Sequence, residues 1–391
     1  MLTYIEKYGT AEHLEDLASS KMVNKLSGTP KKCYKYALVA IMLNISCGNH
    51  KTVGQEQNIE LAKSILRNPI SYKNKEILRQ IQSKVENSLI ANSFINARMP
   101  ETIDKVITLL RTCTLDIINN EVCLIKASEL SDLVNLNERF SKHPPQAHHW
   151  IDINFKSGFT PTIPDLILYS DIINTWNILL EKNKEYKALF ESLTGLLNVE
   201  REVQWEVRKL EYENQALVRS LWVLAVSFVE SYLYYVFYNT KCGSFTLENE
   251  EAIEFIKLKK VGGLEILKGL ILPEFIANES ELNEQLTEHI TNYDGIYKRR
   301  HRLVHPSAFE ESNQSHLSPI ITITIDKLIN TLNTCVDMVE LIDNTLPEDK
   351  RILFWWDRIE HPDFTNGKPG NMVLKDNQIS TFKYNNILPE N

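Results

Sequence analysis

Apolar positions recur at helical spacing along most of this chain. In 101–120, Ile103, Val106, Ile107, Leu109, Leu110, Cys113 and Leu115 fall near a period of 3.6 residues. Pro100-Glu101-Thr102 supplies the proline and the acid that a helix N-terminus tolerates. One or two short amphipathic helices precede Gly28 and Pro30, and an apolar helix over 31–46 is closed by Gly48-Asn49. The same pattern predicts helices over 56–67, 73–98, 127–139, 166–198 and 200–239. It continues over 247–260, over 264–272 with a stop at Pro273, and over 280–304 and 326–344. Residues 318–325 alternate and are β-branched, which is a strand signal. No repeat of fixed period appears, so an irregular helical arrangement is favoured over a solenoid. The fold class is mainly α, with at most a short strand pair near 318–325.

Turn residues set the boundaries. Pro144, Pro145, Gly158, Pro161 and Pro164 cluster in 141–165 with His143, His148 and His149, which reads as a loop region and a domain boundary. An irregular helical domain over 1–150, regulatory or recognising, would precede connecting helices over 166–204 and a helical bundle over 205–346. The tail over 347–391 would pack onto the bundle through Trp355 and Trp356 and end in polar, irregular structure. The helix over 200–239 is polar first and apolar later, so its first half should project and its second half be buried.

Composition narrows the class. At 391 residues the chain has room for two or three domains, and 13 Gly and 14 Pro are few enough for a helical protein. A net charge of −8 argues against a general nucleic-acid coat, though not against a local RNA site. The six cysteines form no C-x-x-C pair, so neither a zinc ribbon nor a redox motif is indicated. With no basic, apolar leader at the start, a cytoplasmic protein with reduced thiols is expected. Leu221–Tyr238 is about the minimum length of a membrane span, but Ser227, Glu230 and Ser231 interrupt it. A buried bundle helix fits better, and no membrane partner is expected.

Against that acidic background, Tyr297-Lys298-Arg299-Arg300-His301-Arg302-Leu303-Val304-His305-Pro306 stands out. Guanidinium groups match phosphate oxygens, and imidazole moves protons near neutral pH. Arginine with histidine is what metal-free cleavage of a phosphodiester requires. The bland alternative is a basic helix end whose cations complement the dipole. Arg300 and His305 do not share a face of an ideal helix, whereas His301 and His305 do. Pro306 disfavours α geometry at His305, so the helix should end there. A His301–His305 metal pair lacks a third ligand and the H-E-x-x-H pattern, so no metal is assigned. Glu230, inside an apolar run, should meet Arg300 or Arg302 unless it reaches solvent. Tyr293 and Tyr297, one turn apart, suit either a base stack or the core. Neither the His143, His148, His149 group nor Asp357, Glu360, His361 and Asp363 is spaced for metal, and Gly262-Gly263 is not a phosphate loop.

The 297–306 stretch resembles the signature of the HEPN superfamily, an Arg, four to six residues, then His, often with a polar residue after the Arg. Arg300, His301 and His305 match it. Residues 216–238 look like the early helix of that family, with Glu230 in the acidic place. The resemblance covers about 205–345. It implies a helical bundle that forms a homodimer and a metal-independent endoribonuclease of the toxin or phage-defence kind, needing no cofactor. By that resemblance His305 is the general acid/base, Arg300 holds the scissile phosphate, and His301 orients His305 or contacts phosphate. Glu230 and Tyr297 would support the site, and Lys298, Arg299 and Arg302 would bind RNA. An unknown trigger or inhibitor protein is a further expected partner. The alternative is a non-catalytic interaction or RNA-binding protein that uses the bundle to dimerise. Related ribonucleases activated by cyclic oligonucleotides begin with a βαβ sensor, and residues 1–60 show no such first strand.

Overall fold

The structure is a computed structural model and describes residues 21–46, 56–120, 123–140, 144–154, 158–195, 199–276, 280–304 and 322–372. The chain is mainly α. It divides between Thr162 and Ile163 into two units, each with its own apolar core.

In unit 1, α1 (Lys21–Lys25) leads into α2 (Gly28–Ser46), α3 (Glu56–Arg67), α4 (Lys75–Ala91) and α5 (Pro100–Asn120). Ala37, Leu38, Val39, Ala40 and Ile41 are consecutive and all buried, so α2 has no solvent face there. A helix that is apolar all round must be wrapped. α3, α4 and α5 pack around it. The helix expected over 73–98 ends at Ala91. Beyond it Ser93 takes a φ of 62°, and the 93–95 backbone pairs with 133–135 through Ile95 N–H to Leu133 O and Asn135 N–H to Ser93 O, both 2.8 Å. That pairing also interrupts the helix expected over 127–139, leaving two single turns, α6 (Ala127–Leu130) and α7 (Leu136–Arg139).

The stretch 141–165, expected to be loop, carries two of three strands. β1 (Leu124–Lys126), β2 (Trp150–Asn154) and β3 (Gly158–Thr162) form an antiparallel sheet in that order. The register pairs Lys126 with Trp150, Ile151 with Pro161 and Asn154 with Gly158. Pro161 is tolerated because β3 is an edge strand, where a missing N–H costs little. Arg139 ties the parts together: its Nη1 donates to Asn92 Oδ1 at 2.9 Å, and its guanidinium lies 4.5 Å from the Phe159 ring centroid. His148 and His149 are both buried, with their rings 4.0 Å apart. His149 Nδ1 accepts the Gln146 N–H at 3.0 Å. His143 lies outside the described residues.

Unit 2 is a helical bundle. α8 (Pro164–Leu193) and α9 (Arg201–Lys241) are followed by α10 (Glu250–Phe255), α11 (Gly263–Ile266), a π-helical run over Leu267–Ile276, α12 (Ser280–Val304) and α13 (Ile325–Thr345). α9 packs against α8, α12 and α13. Its first half exposes Trp205 by 62% and Tyr212 by 73% and buries a narrow stripe of Leu210, Asn214 and Val218, while its second half buries Leu221, Ala225, Val226, Phe228, Val229, Tyr232 and Leu233. By length and composition α9 would pass for a membrane span, and half of that window is buried inside the protein.

The chain does not stop its helix at Pro273. It widens into π geometry and runs on to Ile276. Proline removes one donor and crowds the preceding turn of an α-helix, and a wider turn relieves that crowding. The strand expected over 318–325 is not seen: 318–321 lie outside the described residues, 322–324 carry no strand pairing, and Thr324 caps α13.

After α13 the tail folds back over the bundle and buries Trp355, Trp356, Ile359 and Phe364 in its core. Asp343 Oδ1 accepts the Ile352 N–H at 2.9 Å and the Tyr232 hydroxyl at 3.1 Å, and Oδ2 accepts the Leu353 N–H at 3.3 Å. Trp355 Nε1 donates to Asp165 Oδ2 at 2.9 Å. His361 pairs through Nδ1 with the Tyr169 hydroxyl at 2.9 Å and lies 4.1 Å, centroid to centroid, from Trp356. Further on, Asn177 donates to Gly370 O at 2.9 Å and accepts the Gly370 N–H at 3.1 Å. A Cβ at Gly370 would lie 2.7 Å from Pro362 N and 2.8 Å from Glu360 O, so glycine is required there.

A cationic helix end as the candidate functional site

α12 carries the basic stretch in its last two turns. The helix forms because Leu286, Ile290, Tyr293 and Ile296 repeat at helical spacing and bury one stripe against the bundle core. That burial fixes which neighbours each cation meets.

Glu230 meets Arg300, one of the two cations expected for it. Arg300 Nη2 lies 3.3 Å from Glu230 Oε2, with side chains 23% and 18% exposed. Neither group is deeply desolvated, and each removes the other's need for solvent. The Glu230 stem packs on α11, with Cγ 3.7 Å from where a Cβ on Gly263 would sit. Tyr293 lies in the core beside them, fully buried, with its ring 6.2 Å from that of half-buried Tyr297. Burial, then the nearby Cys335 and Glu230, push the Tyr293 phenol well above its ordinary pKa, so it stays protonated. This settles Tyr293 as core rather than base platform. Its hydroxyl and Arg300 Nε are buried polar atoms with no hydrogen-bond partner among the described residues.

The other cations go different ways. Lys298 pairs with Asp294 one turn back on α12. Arg299 lies over the Trp222 ring of α9, 5.3 Å from its centroid. The indole is itself fixed, since Trp222 is 4% exposed and its Nε1 donates to Ile296 O at 3.2 Å. Burial, then the like charge of Arg302, lower the Arg299 pKa. Its Nη1 is buried and lacks a hydrogen-bond partner among the described residues. Arg302 and His301 are exposed on the last turn. His305 lies outside the described residues, directly after Val304, where the described part of α12 ends.

Arg300, Glu230 and Tyr297 are therefore brought together, while Lys298 is turned into a local ion pair. The sequence reading missed Trp222 and the Asp343 and Asp165 contacts to the tail. Trp222, Val226 and Glu230 are spaced i, i+4, i+8 on α9, so the face that presents Glu230 to α12 also presents Trp222. That spacing was the available signal. No family model, no curated protein and no solved structure matches the chain.

Proposed function

We propose that the protein is a HEPN-type, metal-independent endoribonuclease of the toxin or phage-defence kind. The observation that carries this reading is the Arg300–Glu230 ion pair at 3.3 Å. It joins the two elements on which the resemblance rests, the motif helix and the early apolar helix with a central acid. Arg300 binds the scissile phosphate and stabilises charge developing on its oxygens. His305 takes the proton from the 2′-hydroxyl, whose oxygen attacks the adjacent phosphorus and expels the 5′-oxygen of the next nucleotide. RNA alone supplies that hydroxyl. His301 orients His305 or contacts phosphate. Two copies meet through the 205–346 bundle to form a homodimer, in the cytoplasm, under control of a trigger or inhibitor.

The test is incubation of the pure chain with total RNA in EDTA. Cleavage leaving 2′,3′-cyclic phosphate ends, lost in both His305→Ala and Arg300→Ala, supports the reading. Full activity in His305→Ala removes it, and light scattering that finds an active 45 kDa monomer removes the dimer.

One observation favours a second reading. Glu230 already occupies one edge of the Arg300 guanidinium, as it would in a bundle that only holds itself together. A chain that binds RNA or itself without cutting any RNA would fit that non-catalytic role.

A further inference from the structure

Four cations crowd the end of α12, and the structure sorts them by whether their charge is already answered. Lys298 has Asp294 and Arg300 has Glu230. Among the described residues, no ion pair involves Arg299 or Arg302. The two lie three positions apart, on neighbouring turns of one helix face. The dipole at a helix C-terminus offsets only part of such charge. Among the described residues Arg299 is also the one of these four cations seated over an aromatic ring, so its fork is ordered before any ligand arrives. A planar, pre-ordered, half-exposed guanidinium with no carboxylate partner among the described residues suits a phosphate, whose oxygens accept in the plane of the fork.

We propose that Arg299 binds an RNA backbone phosphate flanking the scissile one, with Trp222 as its positioning residue and Arg302 adding charge. This rests on the ribonuclease reading above. It separates Arg299 from Lys298, which the bare sequence treats alike.

The experiment measures binding of a fluorescein-labelled single-stranded RNA by anisotropy over a range of salt, using the full chain with His305→Ala to prevent cleavage. Adding Arg299→Ala should weaken binding about tenfold and reduce the slope of log K against log salt by about 0.7, one phosphate contact on a single strand. Arg299→Lys should restore less than half of the lost affinity, because an ammonium has no fork to lie over the indole. Trp222→Phe should keep the slope and Trp222→Leu should lose it, with circular dichroism confirming that each variant is folded. An unchanged slope in Arg299→Ala, while the His305→Ala parent binds RNA, overturns this inference alone. A parent that binds no RNA overturns the ribonuclease reading and this inference with it.

Discussion

Where the tail meets α13, Asp343 is buried and accepts three hydrogen bonds. At the end of α12, Arg299 keeps a buried N–H that nothing among the described residues accepts. Both regions belong to unit 2 and both bury polar groups beside aromatic rings. The Asp343 carboxylate is spent on backbone donors and a tyrosine, so its energy goes into closing the fold. The Arg299 guanidinium lies over the Trp222 ring instead, and no ion pair among the described residues involves it. Asp343 is thus polar burial answered within the fold, whereas Arg299 Nη1 is polar burial that no described residue answers.

The largest expected effect tests the end of α12. Arg300→Ala should lower RNA cleavage by about 10²–10⁴-fold, the range of a phosphate-stabilising or proton-transfer group, in a fold that persists by circular dichroism. Retained cleavage there would erase the contrast. Where the tail meets the bundle, Trp355→Ala empties a fully buried site and removes the indole donor to Asp165 Oδ2. It should cost about 3–5 kcal/mol in urea unfolding. A loss below about 1 kcal/mol would mean that the tail does not help hold the bundle.

Asp343 sharpens the comparison through pH. Burial pushes its carboxyl up to about 6, against the lowering effect of its hydrogen bonds with Ile352, Tyr232 and Leu353. The folded state therefore binds a proton more readily than the unfolded chain, whose aspartates titrate near about 3.9. Stability from this group is full below about pH 4 and is lost as pH rises through about 6, on the order of 2–3 kcal/mol in all. Unfolding free energies measured from pH 4 to 7 should carry that fall in the native chain and lack it in Asp343→Ala. At pH 7 the same variant leaves three donors unanswered and should cost about 2–3 kcal/mol. The smallest effect is at Glu230→Gln, which keeps the shape and removes the charge beside half-buried Arg300. About 1–2 kcal/mol is expected, and a neutral result would show that solvent already answers Arg300.

Much of the helical frame was legible because it is local. The spacing of Ile59, Ala62, Ile65 and Leu66 marks α3, and that of Leu286, Ile290, Tyr293 and Ile296 marks α12. The need of Glu230 for a cation was also readable, since a carboxylate inside an apolar run is costly to leave alone. What was missed depends on distant partners. β2 and β3 hide behind Gly158 and Pro161, which read as loop until the edge position of β3 is known. The extension through Pro273 depends on a change of helix type that residue pattern does not report. The Trp355–Asp165 bond joins residues 190 positions apart, and the Arg299–Trp222 contact joins two helices that periodicity treats one at a time.

The tail also sets a clock. Tyr169 and His361 are separated by 192 positions, and Asn177 and Gly370 by 193, yet they are bonded in the finished core. A ribosome adding about 5–20 residues per second spends roughly 10–40 s between making the first partner of each pair and the second. Through that interval the aromatic face of α8 has no tail to cover it, and the bundle closes its core only after Gly370 has been made.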